Sequence, residues 1–413
     1  RQIDLACNDF LWKVYWWGSH RDAALIKALR LNPSLDDLAK RKEWPDPGRG
    51  FQAASMTYKN VPSDWLSKYP ELPAEYFQRY GQVDPSLLRP APKQVTRLPS
   101  SSSIQSGWRL LIGRGVTEAN GINGRIEARL ENLPYCFNNS IHGVNVDNAE
   151  DWERKTLIGI LWSSLARYDY FMIASTWGAW HHEIHLDEAM SLPICFPKDE
   201  RLRKEIVGIV DALMSWPTHN LLAGDILGAL APLEQALDEA IFKLYGLSES
   251  ERDLVLDLCE VNLEFLYQDS KSNAVRSVER FPSSLQGTIK NLPGDRKLER
   301  GLEGYLYAFL KMWNREIMPQ GEFRWRIIRP SHLSMIAVVF TTQEMSDPLP
   351  IIDKTDEEEW DIVLKRCSNA LRQEIYIIKR DERRLWTRSV AREDAEATLV
   401  QAMHLQEMMR ETV

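Results

Sequence analysis

Proline sets the tightest limit on what this chain can become. Nine of its 21 prolines fall between Pro45 and Pro99, mixed with Gly48 and Gly50. Each proline removes a backbone donor and fixes φ, so such a density cannot continue a helix or a central strand. Residues 1–106 are therefore expected as short helices followed by an extended strap that ends in the serine run Ser100–Ser103. Leu11, Val14, Tyr15 and the Ala24–Leu29 run make apolar faces at helical spacing. Ser34 and Asp37 form a capping box with aspartate in place of glutamate. Nothing before Trp12 reads as the opening of a self-contained fold, so the chain is expected to be a fragment.

Beyond Ser106 the pattern changes. Trp108–Ile112, Gly124–Leu130 and Tyr135–Val146 are short β-compatible runs separated by Gly115, Gly121 and Pro134. One long helix is expected from about Ala149 to Ser175, with Asn148 as its N-cap and Asp151 three residues on. Gly178 is placed to close it in a left-handed conformation. Residues 107–200 thus read as a small mixed α/β module, and 201–255 as a helical linker built on Leu202–Ser215 and Leu233–Tyr245. Ser248 and Glu251 begin a further helix with a second capping box. Residues 256–413 combine an amphipathic helix around Leu302–Trp313 with strand-like runs at Phe323–Ile328, Ser334–Phe340 and Glu374–Lys379, and end in helix. The acidic stretch Asp353–Asp361 reads as a solvated loop. The expected fold class is α+β.

Composition removes several classes. No window approaches eighteen uninterrupted apolar residues, so no transmembrane helix is expected. Arg1–Phe10 carries Asp4 and Asp9 and lacks a signal pattern, so secretion is not expected. The five cysteines never form a CxxC pair, which argues against a disulfide framework and fits a reducing cytoplasm. A net charge of −8 excludes a small, uniformly basic nucleic-acid binder but leaves room for a local basic face.

The residues that carry chemistry are few. Gly113-Arg114-Gly115 is like half of a glycine-rich loop, yet no third glycine opens a helix after it, and a hairpin turn with positive φ is the plainer reading. Asn32-Pro33-Ser34-Leu35 approaches the Asn-Pro-Pro-aromatic motif of amino-group methyltransferases without its second proline or aromatic residue. The sharpest local feature is Trp180-His181-His182-Glu183-Ile184-His185. A zinc peptidase needs H-E-x-x-H, and here the second histidine comes one residue too early. Ordinary packing, a metal site completed from elsewhere and a nucleic-acid contact all stay open for it. Arg97, Arg109, Arg114, Arg125 and Arg129 face only Glu118 and Glu127, a local basic excess. The planar guanidinium suits phosphate and guanine, and a good bidentate base contact supplies about 1–3 kcal/mol of discrimination. A second basic stretch, Lys365–Arg392 with Trp386 inside it, reads as a phosphate track or a salt-bridge-laced surface. The tryptophans, Trp12, Trp16 and Trp17 among them, are expected as core anchors.

Several of these runs are similar to one protein family. Trp12-Lys13-Val14-Tyr15-Trp16-Trp17-Gly18, Gly48-Arg49-Gly50-Phe51 and Arg109-Leu110-Leu111-Ile112-Gly113-Arg114-Gly115 resemble the C-terminal half of bacterial N6-adenine DNA methyltransferases of restriction–modification and phage-defence systems. Gly124–Leu130 and Ile158–Tyr168 extend the likeness. Ser175-Thr176-Trp177-Gly178, running through the histidines to Leu192-Pro193-Ile194, resembles the end of that family's target-recognition region. Leu237–Leu247 resembles the helical linker that follows it, and Arg383–Ser389 a tail motif. The family's catalytic half, with its methyl-donor loop, has no counterpart here, and Gly113 stands where a basic residue is expected.

The resemblance implies a non-catalytic recognition portion that positions double-stranded DNA for adenine methylation by a separate domain. S-adenosylmethionine belongs to that catalytic domain, with no cofactor in this chain. Expected partners are the duplex, the methyltransferase domain, and nuclease or helicase subunits. Carried over by position, Arg114, Arg125 and Arg129 become the DNA-contact candidates, with His181 and His182 behind them. Two other classes stay open: a protein-docking module of a defence complex, and a metal-dependent hydrolase built on the histidines.

Overall fold

In the computed structural model the proline-rich strap is woven into a sheet rather than strung between domains. The structure describes residues 11–116, 125–216, 223–278, 281–296, 298–299, 301–317, 321–343, 357–358, 360–361, 363 and 374–411. The fold is α+β, and the chain divides into two compact units, Arg1–Val255 and Leu256–Val413.

The first unit opens with three helices, α1 (Leu11–Trp17), α2 (His20–Leu29) and α3 (Leu35–Arg41). The Ser34–Asp37 box starts α3 as its residue types require: the Asp37 N–H donates to Ser34 Oγ at 3.0 Å, and the Ser34 N–H to Asp37 Oδ2 at 2.9 Å. Proline then keeps the strands short: β1 (Gly48–Arg49), β2 (Gln52–Ala53), β3 (Val61–Pro62) and β4 (Gln94–Arg97). The last three form a small sheet in the order β2-β4-β3. After them come β5 (Arg109–Gly113), β6 (Ala128–Glu131) and β7 (Ile141–Asn145), which join β1 in an antiparallel sheet of order β1-β7-β5-β6. Gly48 pairs with Gly143 and Arg49 with His142, so the strap supplies an edge strand. The junction expected near Ser106 is therefore crossed by hydrogen-bonded backbone, and both 106 and 200 fall inside the first unit.

One face of this sheet packs Leu111 and Ile141 against Leu72, Phe77, Ile104, Tyr135 and Phe137 from the strap and loops. Helix α4 (Asp151–Trp162) lies against β6, the Trp162 indole donating to the Ala128 carbonyl at 2.8 Å, and α5 (Ser164–Ile173), α6 (Leu186–Met190), α7 (Glu200–Met214) and α8 (Ala223–Tyr245) follow. The single helix expected over 149–175 is two helices. Ser163 is extended (ψ 157°), and its hydroxyl caps α5 by accepting from the Ala166 N–H. The α4 cap is Glu150 with Glu153, two residues beyond the expected Asn148. Ile206, Val210 and Leu213 of α7 are buried at helical spacing, and Gly159 lets α4 come close, since a Cβ there would stand 3.1 Å from Val210. Helix α9 (Glu249–Asp257) begins at the expected Ser248–Glu251 box.

In the second unit α10 (Leu263–Gln268) precedes a sheet of order β11-β10-β9-β8: β8 (Gln286–Gly287), β9 (Glu322–Ile328), β10 (Met335–Gln343) and β11 (Glu374–Arg380). Period-two alternation splits β10 cleanly. Ile336, Val338 and Phe340 face α11 (Glu303–Ile317) and α12 (Arg388–Glu411), while Ala337 and Val339 meet Trp360 and Val363 on the reverse.

A buried ion pair ties the first unit's layers together. Arg125 donates from Nη1 to Asp238 Oδ1 at 2.9 Å and from Nη2 to Asp238 Oδ2 at 2.6 Å. Asp238 also accepts from the Ser164 N–H at 2.7 Å and the Ser164 hydroxyl at 2.8 Å. Removing one partner of such a pair strands a charge without solvent. We expect Asp238→Ala to lower the unfolding free energy by about 3–5 kcal/mol, read from the urea midpoint, and Arg125→Met/Asp238→Leu to recover much of that loss. A loss below about 1 kcal/mol for the single change would show that the pair does not hold the layers.

Candidate nucleic-acid interface

The site forms where β5 runs off the end of its sheet. The Gly113 N–H donates to the Glu127 carbonyl at 2.7 Å, and the Arg114 N–H to Ser140 at 2.8 Å. The backbone then leaves the sheet for the histidine run: the Ile184 N–H donates to the Arg114 carbonyl and the Val116 N–H to the His182 carbonyl, both at 2.8 Å. Gly113 thus closes β5, Arg114 bends the chain and Gly115 makes an isolated bridge with Glu183, none of them at positive φ, in place of the expected positive-φ hairpin turn. At Gly115 a Cβ would meet no atom within 4 Å, so the backbone there is open to a ligand.

Register gathers positive charge at this end. Arg49, His142 and Ile112 are neighbours across β1, β7 and β5 and share one sheet face. Arg114, just past the end of β5, lies close enough to His142 to act on it. Its side chain is 25% exposed and donates from Nη2 to Glu183 Oε2 at 2.6 Å. His142 is buried, and its Nε2 lies 2.9 Å from the Ile184 carbonyl, which can only accept, so that nitrogen carries the proton. Burial pushes His142 down to about 4, and Arg49, Arg114 and His185 push the same way against the Ile184 bond. The imidazole is neutral at neutral pH chiefly because it is buried.

The loop from 175 to 185 is held at both ends by one carboxylate. Glu188 accepts from the Ser175 N–H at 2.6 Å and the Ser175 hydroxyl at 2.7 Å through one oxygen, and from the His185 N–H at 2.7 Å through the other. Thr176 accepts from the N–H groups of Ala179, Trp180 and His181, and Gly178 takes φ +82°, which fits its expected left-handed conformation although α5 has already ended at Ile173. This turn lifts Trp180, 85% exposed, to the loop tip beside the exposed His181. His182 is half-buried, and burial lowers it, with His181 adding repulsion.

Two expectations about the arginines change. Arg125 is spent on Asp238, the Trp162 carbonyl and Glu234, and these carboxylates hold it above the ordinary range despite burial. Arg129 is buried and donates to the carbonyls of Gln78 at 2.6 Å and Gly81 at 2.9 Å. Both guanidiniums are internal fasteners in this fold, so of the three candidates Arg114 alone reaches the edge. Sequence reasoning did not name Arg49 or His142 as contact candidates; the β1–β7 pairing sets them side by side. The second basic stretch is laced with carboxylates where it is described: Lys379 pairs with Asp394, Arg384 with Glu382 and Arg388 with Glu299. Trp386 within it is buried, and Lys365, Arg366 and Arg372 lie outside the described residues.

Trp12 and Trp16, expected in the core, are 65% and 82% exposed, because Leu11 and Val14 take the inward face of α1. Between them Lys13 donates to the Ala174 carbonyl at 2.7 Å and lies 4.6 Å from the Phe171 ring centre. Burial lowers its amine to about 7, opposed by Glu188.

Among the described residues no three His, Cys, Asp or Glu side chains come together as a metal-holding group. All pairings between the described strands are antiparallel, so the strand–helix crossover that cradles a nucleotide-like methyl donor is not formed among them. No helix among the described residues is long and apolar enough to cross a membrane. No protein-family model matches the chain, and no curated protein matches it either.

The buried histidine makes the sheet edge acid-sensitive. Between its ordinary 6.5 and about 4 the unfolded chain binds a proton that folded His142 refuses. Its contribution to stability is full above pH 6.5 and declines as pH falls toward 4. Unfolding free energy followed across that window should fall less steeply in His142→Gln than in the parent; equal slopes would place the acid sensitivity elsewhere.

Proposed function

We propose that this chain is the non-catalytic DNA-recognition portion of an N6-adenine DNA methyltransferase of a restriction–modification or defence system. The observation that carries the reading is the gathering of Arg49, Arg114, His181, His182 and His185 at one end of a sheet in a chain of net charge −8. Segments that carry the family resemblance also come together there: Arg109–Gly115 meets Ser175–Ile194 through the Ile184 N–H to Arg114 carbonyl bond, and Gly48–Phe51 joins the same sheet with β7 between it and β5.

The mechanism is a division of labour. A separate domain supplies the S-adenosylmethionine, extrudes an adenine and methylates it. This unit holds the duplex. Arg49 and Arg114 meet phosphate oxygens, and the 180–185 loop reaches toward base edges in a groove. The Arg114–Glu183 pair is partly exposed on both sides, so exchanging the carboxylate for a phosphate costs about 0–1 kcal/mol. Glu183 therefore holds the guanidinium in place without locking it.

The test is binding to randomised duplex DNA across a salt series. Arg49→Ala and Arg114→Ala are each expected to weaken binding across all sequences and to reduce the slope of log affinity against log salt by about 1. Arg125→Ala and Arg129→Ala are unsuitable probes, because they remove buried fasteners and lower stability instead. Binding of the parent with slopes unchanged in both edge variants would place the interface elsewhere, and no binding at low salt would favour a protein-docking module.

A further inference from the structure

We infer that the exposed tryptophans beside this edge stack unpaired nucleobases, so that the first unit holds a nucleotide displaced from the helix as well as the duplex around it. The inference deepens the DNA-recognition proposal and rests on it. Trp12 and Trp16 stand one turn apart on α1, where side chains four residues apart are neighbours. Trp17 packs edge-on to Phe171, ring centres 5.5 Å apart, and its Cζ2 is 3.6 Å from where a Cβ on Gly178 would be. Helix α1 therefore abuts the turn that leads to Trp180, so exposed tryptophans stand on two segments that meet at the Trp17–Gly178 contact. Trp12, Trp16 and Trp180, exposed at 65%, 82% and 85%, present large flat rings to solvent on which a planar ligand can stack.

The charges around the rings select the occupant. Asp22 is buried and committed to the Ser19 N–H at 2.7 Å and the Tyr168 hydroxyl at 2.8 Å, and Glu188 to Ser175 and His185. Glu183 is held by Arg114, and Asp187 is exposed. Lys13 is turned inward to Ala174. Against these stand His181 next to Trp180, then His182, His185, Arg114 and Arg49 along the same loop and sheet edge. A ligand matched to flat rings beside the Arg49 and Arg114 guanidiniums and imidazoles able to hydrogen-bond is planar and carries negative charge: a nucleotide. Paired bases hide their faces in the stack, so the rings can meet only bases that are unpaired.

The experiment is fluorescence anisotropy of the whole chain with three labelled probes: a short single strand, the matching duplex, and that duplex with one bulged base. The single strand and the bulged duplex are expected to bind more tightly than the perfect duplex. Trp16→Ala/Trp180→Ala should weaken both by roughly ten-fold or more while shifting the perfect duplex by less than about two-fold. Trp16→Phe/Trp180→Phe should keep most of the affinity, and the exposed positions should leave the melting temperature unchanged in both variants. Equal binding of all three probes by the parent, or parental binding of the single strand by the alanine variant, overturns the inference. Tryptophan-dependent single-strand binding without perfect-duplex binding would remove the duplex reading and leave the stacking surface standing. Binding of no probe overturns both.

Discussion

Asp238 is the point on which the first unit hangs. It reaches from α8 to Arg125 at the entrance to β6 and to the first turn of α5, so one carboxylate joins the sheet and two helices. Burial makes this consequential, since neither charge has solvent to fall back on if its partner moves. The network extends outward through Glu234, which accepts from the Tyr80 hydroxyl at 2.8 Å and lies 3.7 Å from Arg79. Residues 78–81 in turn supply carbonyls to Arg129. A line of charge and dipole thus runs from α8 across the sheet to the proline-rich strap, and the edge that gathers Arg49 and Arg114 depends on that strap staying in place.

The second unit solves the same problem in the same way. Asp257 accepts from Arg296 Nη2 and from both the N–H and the hydroxyl of Ser389, each at 2.8 Å, at the start of α12. The arginine and the serine hold its carboxyl below the usual range despite full burial. In both units an aspartate on one helix satisfies the free amide of another helix's first turn while an arginine neutralises it. A helix end that would otherwise be a desolvation cost becomes a fixed joint between elements.

Local signals were legible in the sequence, and assembly was not. The Ser34–Asp37 and Ser248–Glu251 boxes, β5, β9, β10 and β11 follow from spacing and residue type, because each depends on contacts within a few residues. The break at Ser163 is not local: Leu157, Ile158, Leu161, Leu165 and Tyr168 keep helical periodicity straight through it, and Asp238 from another helix occupies the restart. The arginines failed for the same reason. A basic excess in sequence says nothing about which guanidinium meets a buried carboxylate, and Arg125 and Arg129 meet theirs or a cluster of carbonyls. Trp12 and Trp16 were misplaced because tryptophan type suggests burial, while Leu11 and Val14 settle which side of α1 faces inward. Of the candidate site, the glycine–arginine run and the histidine loop could be read in advance; Arg49, ninety-odd residues from its neighbour His142, could not.

The strand pairing of β1 with β7 bears on how such a protein diversifies. The strap gives the sheet its edge, and Arg109 and Arg129 spend their donors on carbonyls from the strap and neighbouring loops. A segment cut at residue 107 and grafted elsewhere would carry β7 with open hydrogen-bonding groups, an invitation to edge-to-edge aggregation. It would also leave Arg129 buried without its acceptors. Recombination that transfers this sheet to another chain would therefore have to move strap and sheet as one cassette, with crossover points before α1 or beyond α8 rather than at the composition change near Ser106.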